Sequence, residues 1–123
     1  MAAVLAYVAA GLTGLWGIAH VLPTRQVLAG FAPITVDNRR VLLQEWLAEA
    51  VTMAGIATLI VLVTAVGTSH TTTNLIYRIA AGFLVALALL TGLTGARTSV
   101  VWFKICPVVL TASATLLAVT SFL

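Results

Sequence analysis

Residues 41–66, VLLQEWLAEAVTMAGIATLIVLVTAV, decide the fold. The only charges in the stretch are Glu45 and Glu49, and beyond Thr52 it is apolar on nearly every side. A helix in water keeps a polar face, whereas one that lacks it belongs in a buried or lipid environment. At a rise of about 1.5 Å per residue, roughly 20 such residues cross a hydrocarbon core about 30 Å thick. The helix is expected over residues 38–66, with Asp37 as its N-cap and Gly67 as its C-terminal stop.

Three further apolar blocks lie around it. Residues 3–22 form the first, ended by Pro23, which has no N–H to continue a helix. It lacks the basic start of a signal peptide and is read as a retained span. Residues 74–94 and 101–122 form the others, and the short link at residues 95–99 makes them an antiparallel hairpin. The chain has 123 residues, 62% apolar and 7% charged, and its mean hydropathy is +1.18. Soluble domains run at about 45–50% apolar and about 25% charged. The expectation is an all-α, integral membrane four-helix bundle, antiparallel and up-down, as a single domain over residues 1–123.

The net charge of +3 points to topology and anionic lipid rather than to nucleic acid, which requires a continuous basic face. Arg25, Arg39 and Arg40 fall in or beside the first connection, Arg97 and Lys104 flank the third, and Arg78 alone lies near the second. The positive-inside rule then places the first and third connections in the cytoplasm and both termini outside. Gly11, Gly14 and Gly17, Ala50 and Ala54, and Gly92 and Gly95 are small residues of the kind that let membrane helices approach closely.

The ionisable residues gather toward the same face. Glu45 and Glu49 are four apart on the second span, and Asn38 and Thr52 extend their stripe. If Arg39 marks the hydrocarbon boundary, Glu45 lies about 9 Å deep and Glu49 about 15 Å, near the midplane. An ionisable group there costs about 2.5–3.5 kcal/mol to insert, and such groups mark sites or pathways. His20, near the end of the first span, reaches the depth of Glu45. Glu45, Glu49 and His20 are the candidate catalytic residues; Asn38, Trp46, Arg25, Arg40 and Thr52 are candidate ligand contacts. Trp16, Trp46 and Trp102 add aromatic surface, so the group reads as an apolar-walled pocket for a lipophilic small molecule.

Each residue also has a plainer role. The cations serve as headgroup anchors, the tryptophans as an interfacial belt, Glu45 as a salt-bridge partner of a basic residue from another helix end, and Cys106 as a small packing residue. His70 lies in a polar run expected to be a solvated loop. No phosphate loop, H-E-x-x-H, paired-cysteine site or nucleophile elbow is present in the sequence. His20, Glu45 and Glu49 are donors that suit zinc or iron, but their spacing is unspecific; no metal is assigned and the cofactor is left open.

The run His20-Val-Leu-Pro-Thr-Arg25, with Gly30-Phe31, Asp37-Asn-Arg-Arg40 and Glu45-Trp-Leu-Ala-Glu49, resembles small four-helix bacterial membrane proteins, similar in size and layout to the DoxX-like group. The resemblance covers the whole chain in architecture and its first half in residues. Some DoxX-like proteins are linked to quinone-coupled redox complexes, but no residues here match a quinone site, so no role is carried over. It implies that the first connection and the entrance of the second span form one unit; residues 23–36, half apolar in composition, are expected to fold as an interfacial or re-entrant cover over the pocket.

Three functions compete. One is a protein that binds a lipophilic molecule and converts it by acid/base chemistry of the isomerase or epoxide-opening type. Another is an accessory subunit of a larger membrane complex, or a homo-oligomer, meeting its partners through small-residue faces. The last is a small proton-coupled transporter built around Glu49.

Overall fold

The computed structural model describes residues 1–31 and 33–123. Among them the helices are α1 (Ala2–Val21), α2 (Thr24–Ala29), α3 (Val36–Val66), α4 (His70–Leu93) and α5 (Val101–Thr120). A 3₁₀ turn at Gly95–Arg97 joins α4 to α5. The four long helices are each apolar and long enough to cross a membrane. The fold is an all-α four-helix bundle with the short α2 at one end.

Local chemistry sets the helix ends. Thr35 is extended (φ −65°, ψ 157°), and its side chain accepts a hydrogen bond from the Asn38 N–H. α3 therefore starts at Val36 with Thr35 as its cap, where Asp37 had been expected to take that role. Asp37 sits instead in the first turn, where a carboxylate suits the positive end of the helix dipole. It pairs there with Arg40 at 3.6 Å. Thr35→Ala is expected to cost about 1 kcal/mol of α3 stability, read as faster amide exchange confined to the first turn of α3; exchange unchanged there would show that the cap contributes nothing. Gly67 ends α3 in the left-handed region (φ 66°), as expected from the sequence.

α4 begins four residues before the expected span, because Ser69 accepts from the Thr72 N–H and caps it. The hydroxyls of Thr68 and Thr73 and those of Ser69 and Thr72 satisfy one another, so the polar run forms the first turn of the helix. His70 is accordingly an exposed helical residue, within 3.2 Å of Asn74. In α5, Pro107 lies inside the helix and withholds the N–H that the Phe103 carbonyl would otherwise receive.

Packing places α1 between α3 and α5, with α4 against α5; α3 and α4 touch little along their length. They meet near their shared turn, where Thr64 and Tyr77 exchange a hydrogen bond of 2.7 Å. The α1–α3 contact is close because it is made by small residues. A Cβ at Gly17 would lie 3.1 Å from the Met53 Cβ and 3.3 Å from the Ala50 oxygen, and one at Gly14 would lie 3.3 Å from the Ala57 Cβ. α3 turns Met53, Ile56, Ile60 and Val63 into the core, where they meet Ala6, Ala9 and Ala10 of α1 and Leu110, Ala114 and Leu117 of α5. Outward-facing Val51, Leu62, Phe83, Leu89 and Val108 leave an apolar exterior suited to lipid.

Candidate functional site

At the end of the bundle that holds the first and third connections, the helices separate around a cavity of about 630 Å³. It is within the range of about 300–1,000 Å³ usual for small-molecule sites. α1 contributes Trp16 and His20, α3 contributes Leu42, Trp46 and Glu49, and α5 contributes Phe103 and Cys106. Gln26, Val27 and Phe31 line it from α2 and the residues after it. The described part of the first connection thus covers the cavity; Ala32, within the expected cover, lies outside the described residues.

The geometry of the wall follows from helical spacing. Leu42, Trp46, Glu49 and Met53 recur at three or four residues and form the inward row of α3. Trp16 and His20 are four apart on α1, so they face the same way. The rings of His20 and Trp46 stack with centroids 3.9 Å apart, and Phe103 meets Trp46 edge-on at 5.6 Å. The Trp46 indole N–H donates to the Thr24 hydroxyl at 3.1 Å. Thr24 in turn donates to the Val21 carbonyl at 2.6 Å. Trp46 therefore ties α2, α1 and α5 to α3 from a single position.

Beside this stack, His20 Nε2 lies 3.6 Å from Glu49 Oε2, with the two side chains 7% and 22% exposed. That separation is slightly long for a hydrogen bond. His20 Nε2, Glu49 Oε1 and Trp16 Nε1 are all buried and, among the described residues, have no hydrogen-bond partner. Buried polar groups in a native fold are almost always paired. Trp16, His20 and Glu49, which carry these three atoms, all line the cavity. The threonines of the wall are already engaged: Thr91, Thr94 and Thr98 donate to the carbonyls of Leu87, Leu90 and Gly95.

Of the residues singled out from the sequence, His20, Trp46 and Glu49 come together here. Glu45 does not: it lies next to Trp46 but off the inward row, exposed on the outside of α3. Asn38, Arg25 and Arg40 are exposed and absent from the cavity wall, and Thr52 bonds its own helix at the Ala48 carbonyl. The paired-carboxylate arrangement is thus replaced by a histidine–carboxylate pair. Sequence reasoning gave Cys106 and Phe103 no place at the site, and Trp16 only a general aromatic role. The spacing of Trp16 from His20 was the available signal for the latter. Among the described residues no group of three His, Cys, Asp or Glu side chains is placed to hold a metal ion. No family model, no curated protein and no solved structure matches the chain.

Proposed function

We propose that this protein binds a lipophilic small molecule in the cavity between its helices and acts on it by proton transfer through Glu49 and His20. The observation that carries the reading is the His20–Glu49 pair at 3.6 Å in the wall of a largely apolar cavity. Placing ionisable side chains at membrane depth is costly, and a chain with only three acidic residues keeps one of them there. A carboxyl and an imidazole side by side can deliver a proton to one atom of a substrate and remove one from its neighbour. Isomerisation of an alkene, or opening of an epoxide by protonation of its oxygen, are the reactions this arrangement suits.

Arg25, Arg39, Arg40, Arg97 and Lys104 belong to the cavity end, and Arg78 holds Ser121 at the opposite end. That asymmetry supports an orientation with the cavity toward the cytoplasm and both termini outside. A rival reading is an accessory subunit, favoured by the exposed Val108, Thr111, Ala112 and Thr115 on the outer face of α5. Native mass spectrometry of the gently purified protein separates the two. The unaltered chain is expected to retain a lipophilic molecule, and Glu49→Gln to hold it about tenfold more weakly or worse. Retention of protein partners and no small molecule by both chains would favour the subunit.

A further inference from the structure

The cavity wall also constrains the chemistry of the ligand's polar end. We infer that the occupant is an uncharged lipophilic alcohol whose hydroxyl completes the hydrogen bonds of Trp16, His20 and Glu49. The inference rests on the reading of the cavity as a ligand site and adds the class of head group.

Charge narrows the choice first. Among the described residues no lysine or arginine lines the cavity, and its one ionisable carboxyl belongs to Glu49. An acid or a phosphate brought to this wall would lie against Glu49 with no lysine or arginine to offset it, and burying an unpaired charge is expensive. Arg25, Arg39, Arg40, Arg97 and Lys104 are exposed at this end without lining the cavity. They would attract an anion to the surface without giving it a place inside, and they oppose the approach of a cation from water.

Hydrogen-bond capacity narrows it further. Trp16 Nε1 is a donor and nothing else; the Cys106 thiol beside it is a weak acceptor, so the strong partner it lacks must accept. Glu49 Oε1 is buried and unpaired in the same wall, and a carboxylate oxygen needs a donor. An ammonium only donates, and a ketone or ether only accepts. A hydroxyl does both: its oxygen receives from the Trp16 indole and from His20 when Nε2 carries the ring proton, and its one hydrogen donates to Glu49. The other hydroxyls of the wall do not compete, since Thr91, Thr94 and Thr98 donate within their own chain segments. The rest of the ligand meets Leu42, Val27, Phe31 and Phe103, which calls for an extended hydrocarbon body.

The test uses one hydrocarbon body with three head groups. Protein in phosphatidylcholine nanodiscs is loaded with tritiated farnesol, empty nanodiscs are subtracted, and farnesylamine and farnesoic acid are added as competitors. Farnesol is expected to bind, and the amine and the acid to compete about tenfold less well or worse. Trp16→Phe keeps an aromatic ring and removes the N–H along with the five-membered ring, and should weaken farnesol about tenfold while leaving the acid unaffected. An amine or acid that competes as well as unlabelled farnesol overturns the assignment, as does a folded Trp16→Phe chain that binds farnesol normally. Should that variant fail to fold, the order of the three head groups on the unaltered protein decides. If farnesol does not bind while native mass spectrometry still finds a Glu49-dependent small molecule, the alcohol assignment falls and the ligand site stands. If neither is found, both fall.

Discussion

Gly17→Leu is expected to separate α1 from α3 and to cost more than about 3 kcal/mol, the upper range for overpacking a close contact. A Cβ at this position would already stand 3.1 Å from the Met53 Cβ, 3.3 Å from the Ala50 oxygen and 3.6 Å from the Ala54 nitrogen. Two of those three atoms belong to backbone, which cannot swing aside as a side chain can. The better helix propensity of leucine returns only about 1 kcal/mol. Gly11→Leu is the matched control, since a Cβ at Gly11 meets nothing within 4 Å. Thermal unfolding in mild detergent should show a large drop for Gly17→Leu and little change for Gly11→Leu. Equal midpoints for the two would remove the claim that this crossing is close-packed. The effect extends to the site, because α1 carries Trp16 and His20 while α3 carries Trp46 and Glu49. Helices forced apart at Gly17 leave His20 without Glu49, and ligand retention should go with the fold.

Trp46→Ala should be nearly as damaging. It removes the stack on His20, the edge contact with Phe103 and the hydrogen bond to Thr24 in one step. A buried tryptophan cut to alanine costs about 3–5 kcal/mol; Trp46 is half-buried, which puts the expected loss near the lower figure. The loss should be concentrated where Trp46 holds α2 down, since the cost of local opening follows the contacts a segment makes. Trypsin cleavage after Arg25 is therefore expected to speed up more than tenfold, at about 1.4 kcal/mol per factor of ten. Trp46→Phe, which keeps an aromatic face but loses the N–H and the five-membered ring, should cost about 1–3 kcal/mol, less than the alanine. A cleavage rate at Arg25 equal in Trp46→Ala and the unaltered chain would mean that α2 is held by something other than this ring.

The two substitutions act on different kinds of information. The stop at Gly67 was legible because glycine takes a positive φ without steric penalty, and the end of α1 at Pro23 because proline lacks an N–H. Both are properties of a residue and its immediate neighbours. The start of α3 was misread because Thr35 and Asp37 are each competent caps, and only the backbone conformation selects the one whose oxygen meets the Asn38 N–H. The threonines after Ser69 were misread for a related reason: a run of hydroxyls reads as a loop unless its members can pair with one another.

The pair Glu45 and Glu49 shows where local reading stops. Spacing by four puts both on one broad stripe of a helix, yet one lines a cavity and the other is exposed. What separates them is the rotation of α3 about its axis. That rotation is set by Gly14 and Gly17 seating against Ala57, Met53 and Ala50, a contact between residues more than thirty positions apart in the chain.

The sequence by itself determined four apolar spans, their hydrophobic exterior, the collection of positive charge at one end, and the presence of ionisable groups within the apolar spans. These follow from how each segment partitions between water and hydrocarbon, which depends on composition along a helix and little else. Only the tertiary structure decided that α3 and α4 part beyond their shared turn, that α2 covers the space between the helix ends, and that Glu49 rather than Glu45 stands beside His20. Those features come from side chains packing across helices, where a shift of one ångström or a fraction of a turn changes which group meets which. Partition free energy does not encode that choice, because lipid makes no distinction between one rotation of an apolar helix and the next.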